Sequence, residues 1–123
     1  MKTLLLIGVA GAIGAISRYA VVSAVGMKYY PYGTLLVNVL GSFLMGLAFI
    51  FIVEKAHLDP HFKPLIMTGA LGAFTTFSAF SLESWEMIER GDLLSALAYI
   101  LASVVLCILA LGAGIFIARL TFL

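Results

Sequence analysis

The chain has 123 residues, of which 63% are hydrophobic and 11% are charged, and its formal net charge at pH 7 is +1. A water-soluble domain of this size must present a polar exterior, so the mean hydropathy of +1.18 indicates an integral membrane protein instead. The lack of any basic run argues against a nucleic-acid partner, and the single cysteine, Cys107, excludes an intrachain disulfide and a thiolate metal cluster.

Four apolar segments are long enough to cross a bilayer, which takes roughly 20 residues. The first also resembles a signal peptide, but its apolar run continues to spanning length and further spans follow. Short connections make the helices neighbours, so residues 1–123 are predicted to form a single transmembrane domain. Asp92 is predicted to cap the last helix. We predict an all-α membrane fold with transmembrane helices at about residues 3–26, 33–53, 65–89 and 93–120.

The positive charges are nearly balanced between the two ends of these helices. With both termini on one side, that side carries Lys2, Lys55, Lys63 and Arg119, and the other carries Lys28 and Arg90. So weak a bias is compatible with a single orientation that keeps the four charges inside, and also with insertion in both orientations. Two oppositely oriented copies would then form an antiparallel dimer with two-fold symmetry.

The stretch GALGAFTTFSAFS, residues 69–81, is unusually rich in glycine and hydroxyl side chains for a lipid-embedded helix. Unwound backbone is tolerated at membrane depth only where protein or a water-filled cavity surrounds it. We therefore predict that the third helix is broken in mid-membrane here, at the functional centre. Phe77 and Phe80 are three residues apart and share a helical face, which indicates either ordinary packing or ring edges that contact an anion.

Polar side chains also recur in the first two helices. Thr34, Asn38 and Ser42 share one face of the second helix. This line of polar groups favours a lined pathway, although a single asparagine also often joins helices. Arg18, deep in the first helix, is either a buried functional charge or a side chain that reaches the nearby interface.

The fourth helix carries one weakly polar stripe, formed by Tyr99, Ser103 and Cys107. This stripe is compatible with hydrogen bonds between helices and equally with pore lining. The acids are confined to the middle loop and the end of the third helix, so only Glu83 could supply a carboxylate for proton coupling within the membrane. The sequence has no nucleophile–base pair, phosphate-binding loop or pair of catalytic carboxylates, and we predict that the chain is not an enzyme.

Three stretches, GAIGAISRY, GTLLVNVLGSFLMG and GALGAFTTFSAFS, closely resemble the Fluc (CrcB-type) fluoride channels. The resemblance covers all four helices in order. It implies an antiparallel, dual-topology homodimer in the plasma (inner) membrane, with two pores that are each built from both subunits. Such a protein would conduct fluoride passively and lower toxic cytoplasmic fluoride.

The resemblance also implies roles for individual residues. Asn38 would be the pore asparagine, and the edges of Phe77 and Phe80 would line the fluoride path. The backbone carbonyls of Gly72 and Thr75, two per subunit, would bind a structural sodium ion at the dimer interface. The other residues predicted along the fluoride path are Arg18, Thr34, Glu83, Tyr99 and Ser103.

The sequence departs from the family pattern at a few positions. Ala79 stands where threonine is expected, Cys107 replaces an expected serine, and Ala73 and Phe74 replace smaller or aliphatic residues near the predicted sodium site. Two other classes remain open from the residues alone. A small multidrug transporter should carry a glutamate in its first helix, where this chain carries Arg18, and a non-transporting membrane subunit would leave the polar residues of the helices unexplained.

Overall fold

The computed structural model describes residues 1–26, 29–55 and 58–122, so Lys28, which entered the charge balance, lies outside the described residues. The regular secondary structure of the described residues is helical throughout. The elements are α1 (Lys2–Val25), α2 (Tyr32–Ala48), a π-helical continuation π1 (Phe49–Lys55), π2 (Pro64–Leu71), α3 (Gly72–Phe74), α4 (Phe77–Glu89) and α5 (Leu93–Phe122).

These elements combine into four helices that are long and apolar enough to cross a membrane. They cover Lys2–Val25, Tyr32–Lys55, Pro64–Glu89 and Leu93–Phe122. Each boundary lies within two residues of the predicted one, and the prediction of an all-helical, multi-pass membrane protein is confirmed. Large apolar side chains such as Leu5, Ile16 and Leu94 are exposed on the outer faces, as a lipid environment requires.

The helix ends follow from the local sequence. Gly26, at φ 85°, ends α1, and Gly91, at φ 78°, turns the chain between α4 and α5; only glycine adopts this left-handed region without strain. Pro64 begins π2, where its missing amide hydrogen costs nothing. The predicted cap of the last helix is confirmed, because the Asp92 carboxylate accepts a hydrogen bond from the Ser95 amide at 3.3 Å.

Glycines set how closely the helices approach each other. A Cβ atom on Gly46 of α2 would lie 2.2 Å from the Leu111 carbonyl oxygen of α5, and one on Gly114 of α5 would lie 2.3 Å from the Phe43 carbonyl oxygen of α2. A Cβ atom on Gly14 of α1 would lie 2.2 Å from a carbonyl oxygen of π2. The second helix is thereby held against the fourth, and the first against the third, as small residues permit in lipid.

The third helix is interrupted at Thr75 and Thr76, within the stretch where a break was predicted. Thr75 has φ −87° and ψ 160°, and Thr76 has φ −152° and ψ 125°, so both residues are extended. Helix α4 begins at Phe77, and the Thr76 hydroxyl caps it by accepting a hydrogen bond from the Ala79 amide at 3.1 Å. That this interruption lies in mid-membrane stays a prediction.

Candidate functional site

Asn38 of α2 holds the interrupted backbone in place. Its side-chain Nδ2 donates to the Thr76 carbonyl at 2.9 Å, and its Oδ1 accepts from the Thr76 amide at 2.8 Å. The extended backbone at Thr76 cannot form these two bonds within a helix, and a side-chain amide supplies the matching donor and acceptor. One of the two Nδ2 hydrogens is used in this pair, so the second is available to another acceptor.

Gly41, one turn further along α2, allows the two segments to meet. A Cβ atom at this position would lie 2.2 Å from the Thr75 side-chain methyl, so a larger residue would push the break away from α2. The Thr75 hydroxyl donates back to the Leu71 carbonyl at 3.1 Å, which fixes the end of the preceding helical segment. Thr76 is therefore held by α2 through its backbone and by the start of α4 through its capping hydroxyl.

Glu83 connects three helices through its carboxylate. Thr34 of α2 donates to Oε1 at 2.6 Å, and Tyr99 of α5 donates to Oε2 at 2.7 Å. Thr34 is 3% exposed and Tyr99 is completely buried, so both hydroxyls are enclosed by protein. Two residues that were predicted separately therefore converge on the carboxylate of a third.

The two phenylalanines of α4 are in contact but have different environments. Their ring centroids are 5.3 Å apart, as expected for residues on one helical face. Phe80 is 8% exposed and packs against Tyr99 at 5.3 Å, and Tyr30 meets Tyr99 edge-on at 5.5 Å. Phe77 is 78% exposed, so its ring lies at the outer surface of the subunit beside the helix break.

Two cavities adjoin the break, and Thr76 lines both. The first is a groove of about 410 Å³ between α2, the start of α4 and α5, and its lining includes Asn38, Ser42, Phe77, Phe80, Ser103 and Cys107. The second has about 580 Å³, and its polar lining consists of Arg18, Tyr19, Thr34, Thr76, Ser78 and Glu83. Among the described residues, the Ser103 Oγ atom is buried without a hydrogen-bond partner. Nearly all the predicted path residues thus lie along two cavities that meet at the break.

Arg18 points towards this break. Its Nη1 donates to the Thr75 carbonyl at 3.4 Å, and the half-buried side chain lines the larger cavity. Of the two interpretations that the sequence left open, this position favours a charge that acts at the break. The guanidinium group therefore lies beside the larger cavity and against the backbone of the break.

The carbonyls of Gly72 and Thr75 fit the chemistry of the predicted sodium site. In a continuous helix they would accept from the amides of Thr76 and Ala79, but those amides donate to Asn38 and to the Thr76 hydroxyl instead. The break therefore removes both oxygens from the helical hydrogen-bond pattern, although that of Thr75 accepts from Arg18 Nη1 at 3.4 Å instead. Neutral carbonyl oxygens are suitable ligands for a hard cation, which at Thr75 would have to replace this contact.

The loops at one end of the bundle are joined by an aromatic and a charged contact. The Tyr29 hydroxyl donates to Asp92 Oδ2 at 2.5 Å, and the Arg90 guanidinium lies 5.1 Å from the centre of the Tyr29 ring. The hydrogen bond from Tyr29 lowers the pKa of Asp92, and the same bond raises the pKa of Tyr29. Burial raises the pKa of the neighbouring Tyr30.

Sequence reasoning missed the separate importance of Thr76 and Gly41. Thr76 supplies both backbone groups that Asn38 binds, and its hydroxyl caps α4. A threonine placed directly before a helix was an available signal for the cap. A glycine one turn after a polar residue was a weaker signal for the close approach at Gly41.

These features describe a small multi-pass membrane protein in which polar groups converge on an interrupted helix. The family model described as "CrcB-like protein, Camphor Resistance (CrcB)" matches residues 5–115 of the chain. Since the match covers most of the sequence, the chain belongs to this family.

Several curated relatives share most of their length with this chain and are named "Fluoride-specific ion channel FluC". The relative from Hahella chejuensis (strain KCTC 2396) is 52% identical over 120 residues, which are 95% of this chain and 94% of the relative. The relative from Magnetococcus marinus is 44% identical, with 93% and 95% covered, and that from Rhizobium meliloti is 45% identical, with 97% and 98% covered. The family predicted from the three sequence stretches is confirmed.

Proposed function

We propose that this chain is a fluoride-selective ion channel, not an enzyme, which exports toxic fluoride passively down its electrochemical gradient. The observation that carries the proposal is the pairing of Asn38 with Thr76, which holds an interrupted helix open between two cavities that polar side chains enter. The names of the relatives supply the ion. The hydrogen-bond donors described above suit a small anion by their own chemistry.

The donors along the path replace the water that fluoride loses. Two donors belong to residues that line the smaller groove: the second Nδ2 hydrogen of Asn38, and the hydroxyl of Ser103, which has no partner among the described residues. The edge of the Phe80 ring, positively polarised, adds a weak attraction in the same groove. Together these groups bind an anion without the deep well that a full positive charge would create, which conduction requires.

The hydroxyls of Thr34 and Tyr99 form the next part of the proposed path. Both donate to the Glu83 carboxylate in this structure, so an arriving fluoride competes with the carboxylate for the same hydrogens. The two negative charges repel each other, which keeps fluoride from resting there. Arg18, which lines the cavity shared with Thr34 and Glu83, offsets part of this repulsion and attracts anions into the cavity.

The functional unit in this proposal is an antiparallel, dual-topology homodimer in the plasma (inner) membrane. One subunit leaves Phe77 78% exposed beside the break and leaves the groove that it lines open on one side. A second, inverted copy would close the groove, so each of two pores would be built from both subunits. The nearly balanced positive charges of the chain support insertion in both orientations.

A sodium ion between the two copies completes the proposal. The carbonyls of Gly72 and Thr75 from each subunit would hold it, which gives four oxygen ligands in the dimer. When bound, the ion supplies a fixed positive charge that ties the two interrupted helices together. Because the carbonyls are neutral, the charge of the ion is not cancelled by its ligands.

Fluoride efflux from liposomes tests the proposal directly. Liposomes that contain the purified protein are loaded with potassium fluoride and potassium chloride, and release is followed with ion-selective electrodes. We expect fast fluoride release after addition of a potassium ionophore, with chloride retained. Release that needs a proton gradient and ignores the membrane potential would indicate coupled exchange, and no release from folded protein would contradict the proposal.

A further inference from the structure

The smaller groove contains two sulfur atoms that the proposed fluoride path does not use. Cys107 of α5 and Met45 of α2 both line it, and the thiol is partly exposed. The two helices are held together by the close approach at Gly46 and Gly114, so both sulfurs belong to a packed part of the bundle. A thiol is a weak hydrogen-bond donor and a thioether is not a donor, so neither group is suited to binding fluoride.

A third side chain in the groove also lacks a partner. Ser103 lies one helical turn before Cys107, is 6% exposed, and its Oγ atom has no hydrogen-bond partner among the described residues. A buried hydroxyl without a partner is uncommon and indicates that the groove takes up a ligand. In the proposed path the hydroxyl hydrogen meets fluoride, while the lone pairs of the oxygen are left for a metal ion. The hydroxyl oxygen would add a weak third contact to an ion that the two sulfurs bind.

We propose that Cys107 and Met45 form a binding site for a soft monovalent metal ion, Ag⁺ or Cu⁺. Thiolate and thioether ligands select such ions, whereas hard cations prefer carboxylates and carbonyls. The side chains that line the groove within the described residues include no carboxylate, so a hard divalent cation has no charged ligand there. Two sulfur ligands are enough for these ions, which commonly adopt two-coordinate geometry.

Binding releases one proton for each ion. The thiol of Cys107 loses its proton to solvent as the bond between Sγ and the metal forms, and the Met45 sulfur donates a lone pair. No electron is transferred. The site gains no net charge, because the monovalent metal ion replaces the proton of the thiol. The bound ion would occupy the part of the groove that Cys107 and Met45 line, and would block an anion that passes through it.

Calorimetric titration with Ag⁺ tests the site without any reference to transport. The detergent-solubilised protein is titrated with silver nitrate in chloride-free buffer, and proton release is recorded in parallel with a pH indicator. We expect one Ag⁺ and one released proton per chain. Cys107→Ser should abolish this binding, and Met45→Leu should weaken it by roughly 10-fold to 100-fold or more, since even the loss of an outer partner costs that much at metal sites.

Matched variants make the result decisive. Met67→Leu replaces a methionine of π2 that does not line the groove, and it should bind Ag⁺ as the unmodified protein does. Equal binding by Met45→Leu and Met67→Leu would refute the two-sulfur site, and undiminished binding by Cys107→Ser would refute it entirely. Thermal unfolding of each variant identifies any that fails to fold, and Cys107→Ala then serves as the second variant.

The effect on transport rests on the proposed function and is measured separately. In an efflux assay without chloride, which would precipitate the silver, Ag⁺ should lower fluoride efflux by roughly 10-fold or more, because an ion lodged in a narrow path blocks conduction. Cys107→Ser should be insensitive to Ag⁺. Unchanged efflux at silver concentrations that saturate the calorimetric site would overturn the blocking role. If the untreated protein releases no fluoride, the proposed function fails, while the metal site is still decided by calorimetry.

Discussion

Replacing Asn38 with aspartate separates its two roles, because it changes the charge and one hydrogen bond but hardly changes the shape. The Oδ1 atom that accepts from the Thr76 amide is kept, while the Nδ2 donor to the Thr76 carbonyl is lost. A buried carbonyl without its donor costs about 1–3 kcal/mol, and the new negative charge faces that carbonyl. We therefore expect Asn38→Asp to fold with reduced stability.

The effect on fluoride transport should be much larger. A carboxylate about 4 Å from a passing anion raises its energy by about 4 kcal/mol at an effective dielectric constant of roughly 20. Since about 1.4 kcal/mol corresponds to a tenfold change in rate, fluoride efflux should fall by roughly a thousandfold. The liposome assay measures this directly, with the amount of folded protein checked by size-exclusion chromatography.

Ser42→Ala provides the matched control for this experiment. Ser42 lies one turn beyond Asn38 on α2 and lines the same groove, but its loss introduces no charge. We expect fluoride efflux within a few-fold of the unmodified protein, in contrast to the block expected for Asn38→Asp. Normal fluoride efflux by folded Asn38→Asp would show that Asn38 is not close to the ion path.

Single substitutions at Phe80, Gly41 and Tyr29 test three other contacts of the structure. Phe80→Ile should keep the fold at a reduced stability, because the ring contacts with Phe77 and Tyr99 are lost, and should cut fluoride efflux; unchanged efflux would refute the role of the ring edge. Gly41→Ala places a Cβ atom 2.2 Å from a threonine methyl at the break and should reduce thermal stability and efflux, whereas Gly112→Ala, with nothing within 4 Å, should do neither. Tyr29→Phe should lower the unfolding temperature at neutral pH, because it removes a hydrogen bond that lowers the pKa of Asp92 in the folded state. That bond stabilises the fold above the unfolded-state pKa and the effect is lost as pH falls through the lower folded-state value, so a difference that persists in strong acid would contradict this account.

The helices and the position of the break could be predicted because each leaves a local signal. Long apolar runs give the spans, and the glycines and threonines of residues 69–81 are unnecessary in a plain membrane helix. Tertiary contacts were not predictable in the same way. Asn38 and Thr76 are 38 residues apart, and nothing in either segment indicates that the amide of one binds the backbone of the other.

The cluster around Glu83 illustrates the same limit. Each of its members was predicted from its own helix, but the sequence could not show that Thr34 and Tyr99 donate to the two oxygens of one carboxylate. Their convergence depends on how closely α2 approaches α5, which is decided further along both helices. At that point the two helices lie so close together that a Cβ atom on Gly46 or on Gly114 would collide with the backbone of the other helix.

The two phenylalanines show what a helical period leaves undecided. Spacing by three residues correctly places both rings on one face, where they touch. It does not indicate that Phe80 is enclosed by its own subunit while Phe77, at the first position of α4, is left at the surface. That difference depends on which helix packs beside each ring.

Buried polar groups in a membrane protein must satisfy one another, since lipid offers them no hydrogen bonds. At this site most of them do: both backbone groups of Thr76 are paired with Asn38, and both oxygens of Glu83 accept hydrogen bonds. Within the described part of the chain, a second amide hydrogen on Asn38 and the buried hydroxyl of Ser103 keep unused donor capacity, and both residues line the same groove. The atoms that hold the break are therefore different from the atoms that can contact an ion, even where both belong to one residue, as in Asn38. In the proposed channel, this division would let the site bind an anion and release it without unfolding the helix break.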